Sequence, residues 1–275
     1  MNYPKNILYF FGFALIVAPL FIVQPKTDTP SEVMLYISAV LGYVGLVFLL
    51  IMYGLGSKSV ARLLSNDLSQ IYKWHSWLGK YGLFLIFLHP IFAILSYGES
   101  WLYIISLKIS PNFDLGVSYG RIAFFALALV WIFSAVVRAK ISYRAWKYIH
   151  YLVYAALPLS LLHVPITGSS YMHLLAAKLY YLILLWLFLI FCILRLRNFL
   201  NLDGYKYQVI SHINPNLDTY ILRMKPLDSN YAINSVPGQY IFLKFGIWSE
   251  EHPFSVVDNN TKLTLMFRAF GKFSQ

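Results

Sequence analysis

For its first two hundred residues the chain alternates long apolar runs with short polar joins, and then the pattern changes. Six predominantly apolar runs lie at approximately 7 to 23, 33 to 55, 74 to 96, 119 to 138, 145 to 165 and 173 to 195. Crossing about 30 Å of hydrocarbon takes roughly 20 such residues as helix. Each run therefore predicts a membrane-spanning helix. The first follows Lys5 as a secretory signal would, but it is longer than a signal core and no small-x-small pattern follows it, so it is expected to be retained. From Tyr205 onward, short stretches such as "YKYQVI", "TYILRM", "QYIFLKF", "FSVV" and "LTLMFRAF" are separated by "NPN", "PG" and "DNN". Short β-prone runs punctuated by turn residues predict antiparallel strands. The expected fold is an all-α six-helix transmembrane bundle over residues 1–200, followed over 201–275 by part of an antiparallel β-barrel. The short stretch "RLRNFLNLDG", 195 to 204, is the one candidate linker, and no internal repeat or low-complexity tract interrupts the scheme.

Composition agrees with this division. The mean hydropathy is +0.61, with 59% hydrophobic and only 12% charged residues, whereas soluble domains carry about a quarter charged. The net charge of +11 would suggest nucleic acid in a soluble protein. Here the basic residues flank apolar runs, so the charge reads as topology and a nucleic-acid partner is excluded. One side collects Lys5, Lys58, Arg62, Lys73, Arg138, Lys140, Arg144, Lys147, Arg195 and Arg197, the other only Lys26, Lys108, Arg121 and Lys178. Both termini are therefore expected in the cytoplasm. The single cysteine, Cys192, lies in an apolar run and supports neither a disulfide framework nor a multi-cysteine metal site.

Ionisable residues at membrane depth are costly and mark function. His75 and His89 fall on the third predicted helix, His150 and His163 on the fifth. Both helices enter from the same side, so His75 is level with His150 and His89 with His163. The separations of 14 and 13 residues correspond to about 20 Å of helix rise, a spacing that holds two haems stacked across a bilayer. Two imidazoles fill both axial positions of a haem iron, which then changes redox state without opening a coordination site. The expected metal ligands are His75 with His150 and His89 with His163. By depth alone, Lys73, Lys80, Arg144 and Lys147 are placed near the inner haem's propionates and Arg121 near the outer's. His173 and His212 have no partner at matching depth and are read as ordinary polar residues.

Regular helix geometry leaves a difficulty. At 100° per residue, His75 and His89 stand roughly 40° apart, but His150 and His163 roughly 140° apart. Pro158 lies between the latter two, and proline kinks or locally rewinds a helix. The expectation is that Pro158 returns His163 toward the third helix.

At these residues the chain resembles a known family. "WHSWLGKYGLFLIFLHP" and "YRAWKYIHYLVYAALPLSLLHVPITGS" resemble the haem-bearing helices of the ferric reductase and NADPH oxidase superfamily, whose six-helix domain carries two such histidine pairs. "PGQYIFLKF", "EEHPFSVVD" and "LTLMFRAFGKFS" fall in the order and approximate spacing of the ferredoxin reductase-type FAD barrel that follows it. The resemblance implies that Phe254 packs on the isoalloxazine, that Ser255 hydrogen-bonds near its reactive nitrogen, and that His252 and Pro253 shape the strand. It likewise implies that Gly271 and Ser274 of "GKFS" form the turn holding the pyrophosphate, with Arg268 beside it as a cation. Related soluble reductases carry Arg where His252 stands, so pyrophosphate binding is expected to lean on Arg268.

Members of that family continue into a nucleotide-binding domain, whereas this sequence stops at Gln275. No nicotinamide site is recognised in it, and the expectation is a C-terminally incomplete prokaryotic member, or a chain completed by a separate nucleotide-binding subunit. The implied function is transmembrane electron transfer from NADPH or NADH through FAD and two b-type haems to an outer acceptor, oxygen or a ferric chelate. FAD accepts a hydride and releases single electrons, which joins a two-electron donor to haem. With the interior negative, an electron moving outward gains about 2.3 kcal/mol per 100 mV. Scattered outer acids, Asp28, Glu32, Glu99 and Asp114, form no iron site, which leans the acceptor toward oxygen. A haem-only membrane subunit serving a separate reductase or periplasmic partner is the alternative, but it would lack "HPFS" and "GKFS". A transporter would need broken helices around a midplane site, and a purely structural protein leaves the histidines unexplained. The expected location is a bacterial plasma membrane.

Overall fold

A computed structural model describes residues 3–23, 28–65, 67–108, 110–168, 172–202, 204–216, 218–246, 249, 251–260 and 262–268. Gly271 and Ser274, expected in the pyrophosphate turn, and Lys26, among the flanking cations, lie outside the described residues. The chain divides into two compact units, Met1–Leu194 and Arg195–Gln275.

The first unit is helical. α1 (Tyr3–Val17) is followed after Ala18 by the short α2 (Pro19–Ile22). α3 (Pro30–Leu55) begins at a capping box in which the Thr29 side chain accepts from the Glu32 amide and the Glu32 carboxylate accepts from that of Thr29. Pro30 takes a first-turn position, where a missing N–H costs nothing. After α4 (Lys58–Leu64), α5 (Leu68–Trp77) starts at Asp67, whose carboxylate accepts from the Ser69 amide at 2.8 Å. One wide π turn, Leu78–Gly82, joins α5 to α6 (Leu83–Tyr97), which ends at Gly98 with φ 65°, a left-handed cap suited to glycine. A 3₁₀ turn at Trp101–Ile104 leads to α7 (Phe113–Trp131), which closes in a second wide turn, Ile132–Val136. Then come α8 (Tyr143–His150), α9 (Val153–Thr167) and α10 (Leu175–Phe199).

Among the described residues five stretches are long and apolar enough to cross a bilayer: Pro30–Leu55, Leu68–Tyr97, Phe113–Val136, Tyr143–Thr167 and Leu175–Phe199. The chain is a multi-pass membrane protein in contact with lipid. The first apolar run, expected as a sixth span, forms the shorter Asn6–Ile22 stretch. Its rise of about 25 Å is shorter than that of the other five. It nevertheless packs on the bundle: the Tyr180 hydroxyl donates to the Leu15 carbonyl at 2.7 Å, and Tyr9 meets Trp74 edge to face.

α3 forms the centre of the unit. Its Leu46, Val47 and Leu50 are buried together with Leu83, Leu127, Leu157 and Leu184 from four other helices. With no hydrophobic force between helices in lipid, close approach depends on small residues. A Cβ on Gly45 would stand 2.4 Å from Ile86 Cγ1 and one on Gly116 2.5 Å from Ile166 Cγ2, so these glycines set how near α6 and α9 come.

The second unit is an antiparallel sheet of β1 (Tyr207–Asn216), β2 (Thr219–Pro226), β3 (Tyr240–Leu243), β4 (His252–Asp258) and β5 (Leu263–Arg268) in the order β1-β2-β5-β4-β3. Among the described residues β1 and β3 remain its two edges and do not pair. The expected barrel is thus an open sheet, since a barrel closes only when its edge strands hydrogen-bond. Met224, Phe254, Val256, Leu263 and Leu265 form its core. Leu265 is fully buried, so Leu265→Ala is expected to destabilise this unit by about 2–5 kcal/mol. Limited proteolysis of the full chain in detergent checks this: cleavage should rise within 205–268, with the helical unit left intact.

Candidate functional site

The four membrane histidines meet in two pairs. His75, at the end of α5, and His150, at the end of α8, have ring centroids 6.1 Å apart. His89 on α6 and His163 on α9 have centroids 6.2 Å apart. A metal–imidazole bond of about 2 Å on each side, plus roughly 1.2 Å from ring centre to nitrogen, predicts about 6.4 Å for two rings sharing one ion. Both separations leave room for a single metal between the rings. Among the described residues no group of three or more His, Cys, Asp or Glu side chains is placed to hold a metal. Two imidazoles per site suit an iron whose remaining ligands come from a macrocycle.

Ligating imidazoles need the second nitrogen fixed. His89 Nδ1 lies 2.7 Å from the Ser38 carbonyl and 3.1 Å from Ser38 Oγ, which itself donates to the His89 carbonyl. His163 Nδ1 lies 2.9 Å from the Gly116 carbonyl, and His150 Nδ1 3.2 Å from Ser134 Oγ. The His163 ring also meets Thr167 Oγ1, one turn along α9, at 3.4 Å from Nδ1 and 3.3 Å from Nε2. Glycines make the space: a Cβ on Gly42 would stand 3.0 Å from the His89 ring, and one on Gly120 2.6 Å from His163 Nδ1. Ser38, Gly42, His89, Gly120, Arg121 and His163 line one apolar cavity between α3, α6, α7 and α9. The donor set, the spacing and the apolar walls fit a haem at the His89/His163 level.

At the other level Trp146 stacks 5.0 Å from His150, donates to Ser134 Oγ at 3.0 Å and carries Arg138 over its ring at 4.9 Å. Lys73, Lys80 and Arg144, expected here by depth, are exposed, and Lys147 is half-buried. Arg138 is the cation against the aromatic wall.

The helix phase is corrected differently from the sequence expectation. α9 runs unbroken through Pro158 and Pro165. The rewinding lies upstream, at Tyr151 and Leu152, where Leu152 N bonds Ile149 O, Tyr154 N bonds Tyr151 O and Ala155 N bonds Leu152 O. Such i→i−3 turns advance about 120° per residue instead of about 100°, so each one takes about 20° off the 140° offset. Pro158 only removes one amide within a helix that is otherwise regular. On the other strand of the pair, the wide turn Leu78–Gly82 takes an extra residue between His75 and His89, so the 40° of a regular helix no longer applies. The Trp131 indole donates to the Lys80 carbonyl inside that turn at 3.1 Å.

Sequence reasoning missed Ser38, Gly42, Gly116, Gly120 and Ser134. A signal existed for four of them: Ser38 and Gly42, and Gly116 and Gly120, are small residues four apart on membrane helices, the pattern of close packing.

In the second unit His252, Pro253, Phe254 and Ser255 lie on β4, where alternation separates their side chains. Phe254, 9% exposed, faces the core and meets Phe267 at 4.8 Å, while Ser255 is on the exposed face opposite Tyr240 of β3. Arg268 ends β5, with its guanidinium 3.6 Å from the Asp218 carboxylate in an exposed pair.

Residues 33–161 match the family described as ferric reductase like transmembrane component. Three of the four paired histidines, His75, His89 and His150, fall inside the matched region, and His163 lies just beyond it. The match supports the ferric reductase superfamily for this part of the chain and an oxidoreductase that transfers electrons across a membrane. No curated protein matches the chain.

Proposed function

We propose that the protein is a transmembrane oxidoreductase that moves electrons from cytoplasmic NADPH or NADH to an acceptor outside, using FAD and two b-type haems. The observation that carries this reading is the pair of facing imidazole couples, at 6.1 and 6.2 Å, on two membrane-spanning helices. His75 with His150 and His89 with His163 are the axial ligands in this account. A bis-imidazole haem supplies one-electron transfer without an open coordination site. Ser38, the Gly116 carbonyl and Ser134 orient the rings, Gly42 and Gly120 leave them room, and the surrounding apolar side chains exclude water. In this account the excess of basic residues at the His75/His150 end assigns that end, and with it the C-terminal unit, to the cytoplasm.

The flavin belongs to the β unit. FAD supplies the conversion between hydride and single electrons. Ser255 and Tyr240, on the exposed face of β4 and β3, offer a hydroxyl and an aromatic surface, with Phe254 bracing the strand from the core side. His252, Pro253, Arg268, Gly271 and Ser274 complete the site in this reading. Arg268→Ala is expected to weaken FAD binding about tenfold, the scale of one charge-assisted bond. Flavin fluorescence titration of the full chain reads it, and an unchanged affinity removes Arg268 from the pyrophosphate site.

Proteoliposomes test the function. With ferricyanide trapped inside and reduced flavin added outside, vesicles holding the chain should bleach the trapped oxidant while protein-free vesicles do not. Equal rates in both would overturn transmembrane transfer. Superoxide formation, compared with anaerobic reduction of a ferric chelate, then assigns oxygen or iron as the acceptor.

A further inference from the structure

Among the described residues Arg121 is the most heavily buried charge in the membrane unit, at 6% exposure. It follows Gly120, which backs onto His163, so its backbone is level with that imidazole and its side chain lines the same cavity. Nη1 donates to the Ser106 carbonyl, and the guanidinium lies over the Tyr103 ring at 4.1 Å. Nη2 is buried with no partner among the described residues. Guanidinium stays protonated at any physiological pH, and a buried charge without a counterion is costly. The nearest acid by sequence, Asp114, accepts from Ser110 Oγ at 2.9 Å. Among the described residues no carboxylate pairs with Arg121, so a negative charge brought into the cavity is favoured there.

The segment joining α6 to α7 is pinned at the same place. Ser118 Oγ donates to the Lys108 carbonyl at 2.7 Å and accepts from the Lys108 amide at 3.1 Å, while Arg121 holds Ser106. Tyr103 and Ile104 of that segment also line the cavity. One guanidinium thus touches both the segment and the space between His89 and His163.

We propose that Nη2 of Arg121 takes a carboxylate of the porphyrin held by His89 and His163, and so clamps residues 101–108 over the cavity when the porphyrin is present. This rests on the haem reading above. Arg121 is a positioning residue: it anchors the segment to the cofactor and touches no acceptor. Its positive charge also favours the reduced form of the nearby iron.

Hydrogen exchange of the full chain in nanodiscs tests the clamp, with haem content measured first. Loading the haem-depleted wild type should slow exchange in 101–108 about tenfold, the scale of one charge-assisted bond. In Arg121→Gln carrying both haems, loading should leave that segment unprotected and lower the midpoint potential of the haem that His89→Ala removes, with the other unmoved. Arg121→Lys should restore part of both effects. Loading the wild type with the dimethyl ester of the same haem, which lacks free carboxylates, should fill the site without protecting the segment. Equal protection by the ester, or unchanged protection and potential in Arg121→Gln with both haems bound, overturns the proposal. Absence of haem in the wild type overturns the underlying reading instead.

Discussion

Replacing His89 with alanine is expected to lower the haem content of the purified chain from about two per polypeptide to about one, and to bring trapped-ferricyanide reduction to the background rate. His89 faces His163 across 6.2 Å, and its Nδ1 is held by Ser38, so the ring is fixed before any cofactor arrives. Alanine removes one of two axial nitrogens and leaves a single imidazole in an apolar cavity. His163→Ala should have the same effect, and the double variant should lose little more than either alone, because the two rings act as one unit. His75→Ala and His150→Ala should remove the other haem in the same way. Two haems remaining in His89→Ala would show that this imidazole is not a ligand.

The second large effect is expected at a position with no functional group. In Gly120→Val the new Cβ would stand 2.6 Å from His163 Nδ1 and 2.8 Å from its Cε1. The imidazole must move, which breaks its contact with the Gly116 carbonyl at 2.9 Å. Overpacking costs about 1–3 kcal/mol and the lost hydrogen bond about 1 kcal/mol. The variant should insert and fold yet hold only one haem, the same one that His89→Ala retains. Gly12→Val is the control, since a Cβ there meets nothing within 4 Å. Pyridine haemochrome assay of both variants checks the difference, and equal haem content would mean the His163 ring tolerates displacement.

How much of this was legible in the sequence depends on the physical rule involved. Apolar run length gave five spans, because bilayer thickness acts on length alone. The first run, broken near Pro19 into α1 and α2, gives a shorter apolar stretch than the other five. The histidine pairs were readable from depth, which needs only the rise per residue. Their facing orientation was not, because angular phase accumulates every local departure from a regular helix. The wide turn at Leu78–Gly82 and the tight turn at Tyr151–Leu152 each shift it. Proline was the natural suspect in the sequence, yet Pro158 sits inside a regular helix, and the residues that rewind the chain carry no such mark. The supporting carbonyls of Ser38 and Gly116 belong to the backbone and are invisible in side-chain identity. In the β unit the strands were legible from alternation, whereas closure depends on which edges meet. The same alternation sets Phe254 in the core and Ser255 on the open face, a separation that the tetrapeptide read as a motif conceals.

The central claim is that each imidazole pair holds one haem. A reduced-minus-oxidised absorption spectrum of the purified, detergent-solubilised wild type, with haem quantified per polypeptide, tests it most directly. The account predicts the signature of low-spin, bis-histidine b-type haem at about two per chain. A spectrum with no haem band after expression with ample haem supply would contradict it, and the facing histidines would then need another role within the membrane.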